Sequence, residues 1–148
     1  MMQKITIRDI QKFKDQSTPF ATVTAYDYVS ARIADAVEIP LLLVGDSAAM
    51  VVYGMDTTIP ISMEEMIFLV RAVCRGSNKS LVVADMPFMS YQASVEDAVR
   101  NAGRFVKEGG AEAVKLEGGR AYTAQIKAII DAGIPVIGHI GLLPQSYH

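Results

Sequence analysis

Tryptophan is absent from the 148 residues, cysteine occurs once, and the charges nearly cancel at a formal −2. A lone Cys74 excludes an internal disulfide and a thiolate-cluster zinc site, fits a reducing compartment, and is expected at a buried helix position. With Lys and Arg scattered along the chain there is no basic field, so neither nucleic acid nor an anionic membrane surface is an expected partner. No apolar run approaches the ~20 residues of a membrane span, and residues 1–14 carry spaced charges with no continuous apolar region. No glycine fingerprint for a dinucleotide follows the first apolar run. What remains is a cytoplasmic globular protein, 51% hydrophobic and 20% charged, long enough for a single domain over 1–148 with a small-molecule ligand.

The stretch around which the chain is organised is 41–47. Leu41, Leu42, Leu43 and Val44 form an apolar run without polar alternation, which suits a parallel strand covered on both faces; Gly45 turns the backbone and delivers Asp46 and Ser47. The design recurs. Residues 21–25 lead to Tyr26 and Asp27, 81–84 to Asp85, 113–116 to Glu117, and 136–138 to His139. Helical patterns lie between these runs, so the expectation is a parallel sheet whose carboxyl edge gathers three carboxylates and an imidazole.

Local signals place the helices. Thr6 with Asp9 caps a short helix through about Lys14, with Ile7, Ile10 and Phe13 against an apolar surface at the bottom of the sheet. Ser30 is expected to cap a helix that turns Ala31, Ile33, Ala34 and Val37 inward and ends before Pro40. Residues 48–61, broken by Gly54, Thr57, Thr58 and Pro60, read as a long loop beside a strand tip, where ligands are often covered. Ser62 and Glu65 form a capping box for a helix that runs to Gly76, with Met63, Met66, Ile67, Val70, Val73 and Cys74 in phase. Ser94 with Asp97 starts another, whose inner stripe is Val95, Ala98, Val99, Ala102, Phe105 and Val106 and whose stop is Gly109 and Gly110. A last helix spans about 121–132, and Pro135 introduces the fifth strand; Gly141 and Pro144 leave no fifth helix after it. His148 is terminal and uninformative.

Five strands of a closed barrel would leave two edges unpaired. Three layouts are therefore open: a complete, open five-stranded doubly wound α/β domain; the first five strands and four helices of a (β/α)8 TIM barrel; or a half-barrel completed by another chain.

Asp46, Asp85 and Glu117 stand at three successive strand tips, and oxygen donors from separate strands suit a hard divalent cation such as magnesium. The alternative is that each acid caps a turn or a helix. Lys115 and Glu117 leave the same face of their strand; Lys115 is either paired with Glu117 or receives an anionic substrate group, and strand tips favour the second. His139 is a proton shuttle or a satisfied polar residue. Ser47 binds a substrate oxygen or finishes the turn, and Tyr26 and Asp27 have the same two options. Gly118 and Gly119 read as a turn.

Thr24-Ala25-Tyr26-Asp27, Val44-Gly45-Asp46-Ser47, Asp56-Thr57-Thr58, Ala84-Asp85-Met86-Pro87-Phe88, Lys115-Leu116-Glu117-Gly118-Gly119 and Gly138-His139-Ile140-Gly141-Leu142 together closely resemble the ketopantoate hydroxymethyltransferase family, in order and over nearly the whole chain. The resemblance implies a (β/α)8 barrel, a large homo-oligomer (a decamer), Mg2+, and transfer of a hydroxymethyl group from 5,10-methylenetetrahydrofolate to 3-methyl-2-oxobutanoate, a 2-oxo acid, through a magnesium-bound enolate. The product is ketopantoate, for pantothenate and coenzyme A synthesis. By the same resemblance Asp46 and Asp85 are metal ligands that also meet substrate, and Glu117 is a third metal-associated acid. Ser47 and Lys115 contact substrate, and His139 lies near the product hydroxyl. Two departures stand out. Ala49 replaces a frequent glycine, and the family's glutamate base lies in a carboxyl-terminal segment that this sequence does not include, which implies a companion segment. The competing expectations are a magnesium-dependent lyase or mutase of another 2-oxo acid and a non-catalytic half-barrel without the base.

Overall fold

The structure is a computed structural model that describes residues 4–147; the readings of residues 1–3 and of His148 fall outside it. Five parallel strands, β1 (Thr22–Thr24), β2 (Leu41–Val44), β3 (Leu81–Asp85), β4 (Ala113–Glu117) and β5 (Val136–His139), lie side by side in chain order. Helices α1 (Ile7–Asp15), α2 (Tyr28–Ala36), α3 (Ala48–Val51), α4 (Met63–Gly76), α5 (Val95–Arg104) and α6 (Thr123–Asp131) precede or connect them. Among the described residues no helix is long and apolar enough to cross a membrane.

Alternate strand residues decide between the layouts. Leu42, Val44, Val82, Ala84, Val114 and Leu116 share one core with Ala31 and Ala34 of α2, Met66, Ile67, Val70 and Val73 of α4, Ala98 and Ala102 of α5, and Ile129 of α6. Leu41, Leu81, Val83 and Ala113, on the opposite face, form a separate small core with Leu43, Ile137, Ile5, Phe20 and, from α1, Ile10. The crossover helices α2, α4, α5 and α6 thus cover one face only, whereas a doubly wound sheet covers both. The fold is a partial barrel, and the doubly wound alternative is set aside. On the inner face, α1 plugs the amino end with apolar side chains, and the carboxyl end is left to Asp85, Lys115, Glu117 and His139, which continue the same alternation.

The capping signals hold where the sequence put them: Thr6 with Asp9, Ser62 with Glu65, and Ser94 with Asp97. Other details differ. Asp27, not Ser30, is the cap of α2, accepting from the N–H groups of Val29 and Ser30 at 2.7 and 2.9 Å. Ile33 and Val37 are exposed, and only Ala31, Ala34 and Asp35 of α2 are buried. The 48–61 segment opens with the one-turn α3, too short to show a helical period in sequence. Val106 is exposed because a π-helical turn over Phe105–Gly109 shifts the phase after α5 and keeps Phe105 inside. Cys74 is half-buried in α4, and burial pushes its thiol up to about 11.

α2 and α4 touch at Gly76. A Cβ there would fall 2.6 Å from the Tyr28 carbonyl oxygen and 2.8 Å from the Ala31 Cβ. Both are anchored groups, so the helices would have to separate. Gly76→Ala is expected to destabilise the fold by about 2 kcal/mol or more; an unchanged urea midpoint would refute this close-approach role.

Candidate active site

The site is built at the carboxyl edge of β2, β3 and β4. β3 and β4 pair with Asp85 directly opposite Lys115. Lys115 reaches across the strands and donates to both carboxylate oxygens of Asp85, at 2.8 Å each. Its partner is therefore Asp85 rather than Glu117: same-face spacing within a strand is about 7 Å along the chain, whereas directly paired residues on neighbouring strands lie about 5 Å apart. Asp85 is 3% exposed. Burial, with the neighbouring charge of Asp46, pushes its carboxyl up to about 7 against the pull of Lys115.

Gly45 brings Asp46 in from β2. The Asp46 N–H points at Asp85 Oδ2 over 3.4 Å. A Cβ at Gly45 would stand 2.8 Å from the Ser47 hydroxyl, so glycine there lets Ser47 turn toward Tyr26, whose hydroxyl is 2.8 Å from Ser47 Oγ. Ala49, the departure from the family's frequent glycine, is fully buried in α3. Asp27 faces away into its helix cap and takes no part in the site.

Glu117 is also buried. It accepts from the backbone N–H of Gln145 at 2.7 Å, and its other carboxylate oxygen lies 3.2 Å from His139 Nδ1, without the alignment of a hydrogen bond. Gln145 sits in a short 3-10 turn over Pro144–Ser146, in the tail that follows β5. Its side chain also donates to Asp46 Oδ2 at 2.8 Å. Asp46 and Asp85 are thus brought together, and Glu117 is joined to Asp46 through Gln145. Among the described residues no group of three His, Cys, Asp or Glu side chains is disposed to hold a metal ion.

Sequence reasoning missed Gln145 and its neighbour Tyr91, because a tail without period and a loop after β3 give no local signal of where they return. Tyr91 is fully buried, its hydroxyl 3.0 Å from the Glu117 carbonyl oxygen and 2.9 Å from Gln145 Oε1. Beside this edge opens a cavity of about 480 Å³ lined by Met50, Asp56, Thr57, Thr58, Leu142, Pro144 and Tyr147. It is mainly apolar, and it contains the Asp56-Thr57-Thr58 motif.

The profile of the family described as ketopantoate hydroxymethyltransferase matches residues 4–148. The chain belongs to that family. It is 56% identical over 145 residues to the 3-methyl-2-oxobutanoate hydroxymethyltransferase of Carboxydothermus hydrogenoformans, a match that covers 98% of this chain and 52% of the relative. The chain thus spans about half the length of the curated relatives it matches. Two solved structures share the fold at low identity. One is a phosphonopyruvate hydrolase in complex with oxalate and Mg++, at TM-score 0.71 and 14% identity over 90% of this chain and 52% of that one. The other is a 2,3-dimethylmalate lyase of the PEP mutase/isocitrate lyase superfamily, at 0.67 and 19% over 88% and 51%. In both, what is matched is about half a longer chain, as the partial barrel of this ketopantoate hydroxymethyltransferase family member requires.

Proposed function

We propose that the complete protein transfers a hydroxymethyl group from 5,10-methylenetetrahydrofolate to 3-methyl-2-oxobutanoate, forming ketopantoate for pantothenate and coenzyme A synthesis. The observation that carries this reading is the buried Asp46 and Asp85 pair with the part-buried Lys115 at adjacent strand tips, in a chain of this family.

The donor set fits a hard divalent cation. Asp46 and Asp85 are buried carboxylates near enough for the charge of Asp46 to raise the pKa of Asp85, and among the described residues the salt bridge to this pair is that of Lys115 with Asp85. A divalent cation between Asp46 and Asp85 would relieve the repulsion of the two carboxylates. Asp46 and Asp85 would hold Mg2+, which when bound supplies Lewis-acid polarisation of a 2-oxo acid and so acidifies the carbon beside its keto group.

The remaining roles belong to the chain itself. Lys115, with 17% of its side chain exposed, can turn from Asp85 to offset the substrate carboxylate's charge. Ser47, set by Tyr26, offers a hydroxyl to a substrate oxygen. His139, whose buried Nδ1 faces Glu117 while the side chain stays partly exposed, is the group proposed to meet the product hydroxyl. In the reaction the C3–H bond breaks, its electron pair forms the new carbon–carbon bond to the methylene carbon, and the C3 proton leaves to a base; both carbon–nitrogen bonds of that methylene break to release tetrahydrofolate, and water supplies the oxygen of the new hydroxyl. No residue of this chain is assigned as that base. The assembly is proposed as a homo-oligomer in which a companion carboxyl-terminal segment completes the barrel.

The deciding experiment supplies 3-methyl-2-oxobutanoate and Mg2+ to the full-length protein, with and without methylenetetrahydrofolate. Ketopantoate is expected only with the folate. Cleavage or rearrangement of 2-oxo acids without it would replace this reading with a lyase or mutase.

A further inference from the structure

Gln145 is 2% exposed, yet every polar atom of its side chain and its backbone N–H is engaged at the candidate site. Its amide nitrogen donates to Asp46 Oδ2 at 2.8 Å and to the Met86 carbonyl oxygen at 2.9 Å. Its amide oxygen accepts from the Tyr91 hydroxyl at 2.9 Å and from Gln92 Nε2 at 3.0 Å. Its N–H donates to Glu117 Oε1 at 2.7 Å. The orientation of the amide is fixed by chemistry: a backbone carbonyl can only accept, so the NH2 end must be the one facing Met86 and Asp46. A glutamate in this place would present an oxygen to two acceptors, and a hydrophobic residue would leave the carbonyl of the buried Met86 without this donor.

We propose that Gln145 is a positioning residue for cation binding, fixing the carboxylate of Asp46 from the tail after β5 and tying it to Glu117. The inference rests on the proposed role of Asp46 and Asp85 as cation ligands. Saturating one oxygen of Asp46 with an N–H limits rotation of the carboxylate and assigns the other oxygen to the cation, which is how outer hydrogen-bond partners act on metal ligands elsewhere. The fixation has a second layer, because Tyr91 and Gln92 hold the Gln145 amide in turn. Tyr91 reaches this position from a turn in which Met89 adopts φ 66°, a left-handed conformation uncommon for a side-chain-bearing residue. The device also explains why the tail lies across the carboxyl edge: the contacts just described anchor it on the tips of β2, β3 and β4.

The test measures Mg2+ binding to the substrate-free, full-length protein by titration calorimetry, alongside thermal unfolding in the absence of metal. Gln145→Met keeps the volume and removes the side-chain hydrogen bonds; it is expected to weaken Mg2+ binding 10- to 100-fold, the range seen when outer partners of metal ligands are removed. Gln145→Glu is expected to weaken it as well. Tyr91→Phe deletes one hydroxyl that holds the amide and should weaken binding several-fold; it carries the test if the Gln145 variants do not fold. Folded variants that all bind Mg2+ as the unsubstituted protein does would overturn the positioning role. If the unsubstituted protein binds no Mg2+, the functional reading fails, and this inference fails with it.

Discussion

Asp85→Ala is expected to abolish magnesium-dependent exchange of the C3 proton of 3-methyl-2-oxobutanoate, with a rate at least about a thousandfold lower, the scale of losing a principal electrostatic group from a reaction centre. Asp85 is the hub of the edge: it holds Lys115 with both oxygens and faces the Asp46 N–H. Truncation removes the proposed cation ligand and leaves the part-buried ammonium of Lys115 without its partner. Asp85→Asn retains the shape and an acceptor for Lys115, so it is expected to stay folded and still lose exchange, which separates the chemical role from a structural one. Deuterium uptake followed by NMR reads the result directly. Exchange at the unsubstituted rate in folded Asp85→Asn would remove Asp85 from the mechanism.

The largest loss of stability is expected at the opposite end of the sheet. Asp35, 6% exposed near the end of α2, gathers four donors on one oxygen: the N–H groups of Lys79 and Ser80 at 2.7 and 2.9 Å, and the hydroxyls of Ser77 and Ser80 at 3.1 Å each. This carboxylate pins the turn between α4 and β3 to α2. Burial pushes its pKa up, but the backbone N–H groups of Ser80, Lys79 and Asn78 and the Ser77 hydroxyl outweigh it and hold the carboxyl at about 2. Asp35→Ala leaves those donors buried without their acceptor and should cost about 3 kcal/mol or more. The pH dependence follows in sign from the folded value lying below the unfolded 3.8. The contribution is complete above about pH 4 and is lost as pH falls toward 2; it amounts to about 2 kcal/mol. Urea midpoints measured from pH 7 to pH 2 should therefore fall less steeply in Asp35→Asn than in the unsubstituted protein. Equal slopes would show that Asp35 does not carry this acid limb.

Much of this architecture is legible in the chain because it is local. The apolar runs that end on Asp85, Glu117 and His139 are strands that end there, and three capping signals mark helix starts. What could not be read depends on partners distant in sequence. Lys115 selects Asp85 because β4 lies beside β3 in that register, and register is not written in the spacing of Lys115 and Glu117. Asp27 outcompetes Ser30 as a cap because both are capable and only backbone geometry chooses. Gln145 and Asp46 are 99 residues apart, and no periodicity in either segment points to the other.

The strand order has a consequence for how the protein is made. Among the described residues every strand pairs only with strands immediately before or after it in the chain, so each strand–helix–strand step of synthesis finds its docking surface already present. Such a chain can assemble by accretion as it leaves the ribosome, at low loop-closure entropy per step. The carboxyl edge is the exception: Asp46 emerges early, and its hydrogen bond to Gln145 forms only when the segment carrying Gln145 has been added.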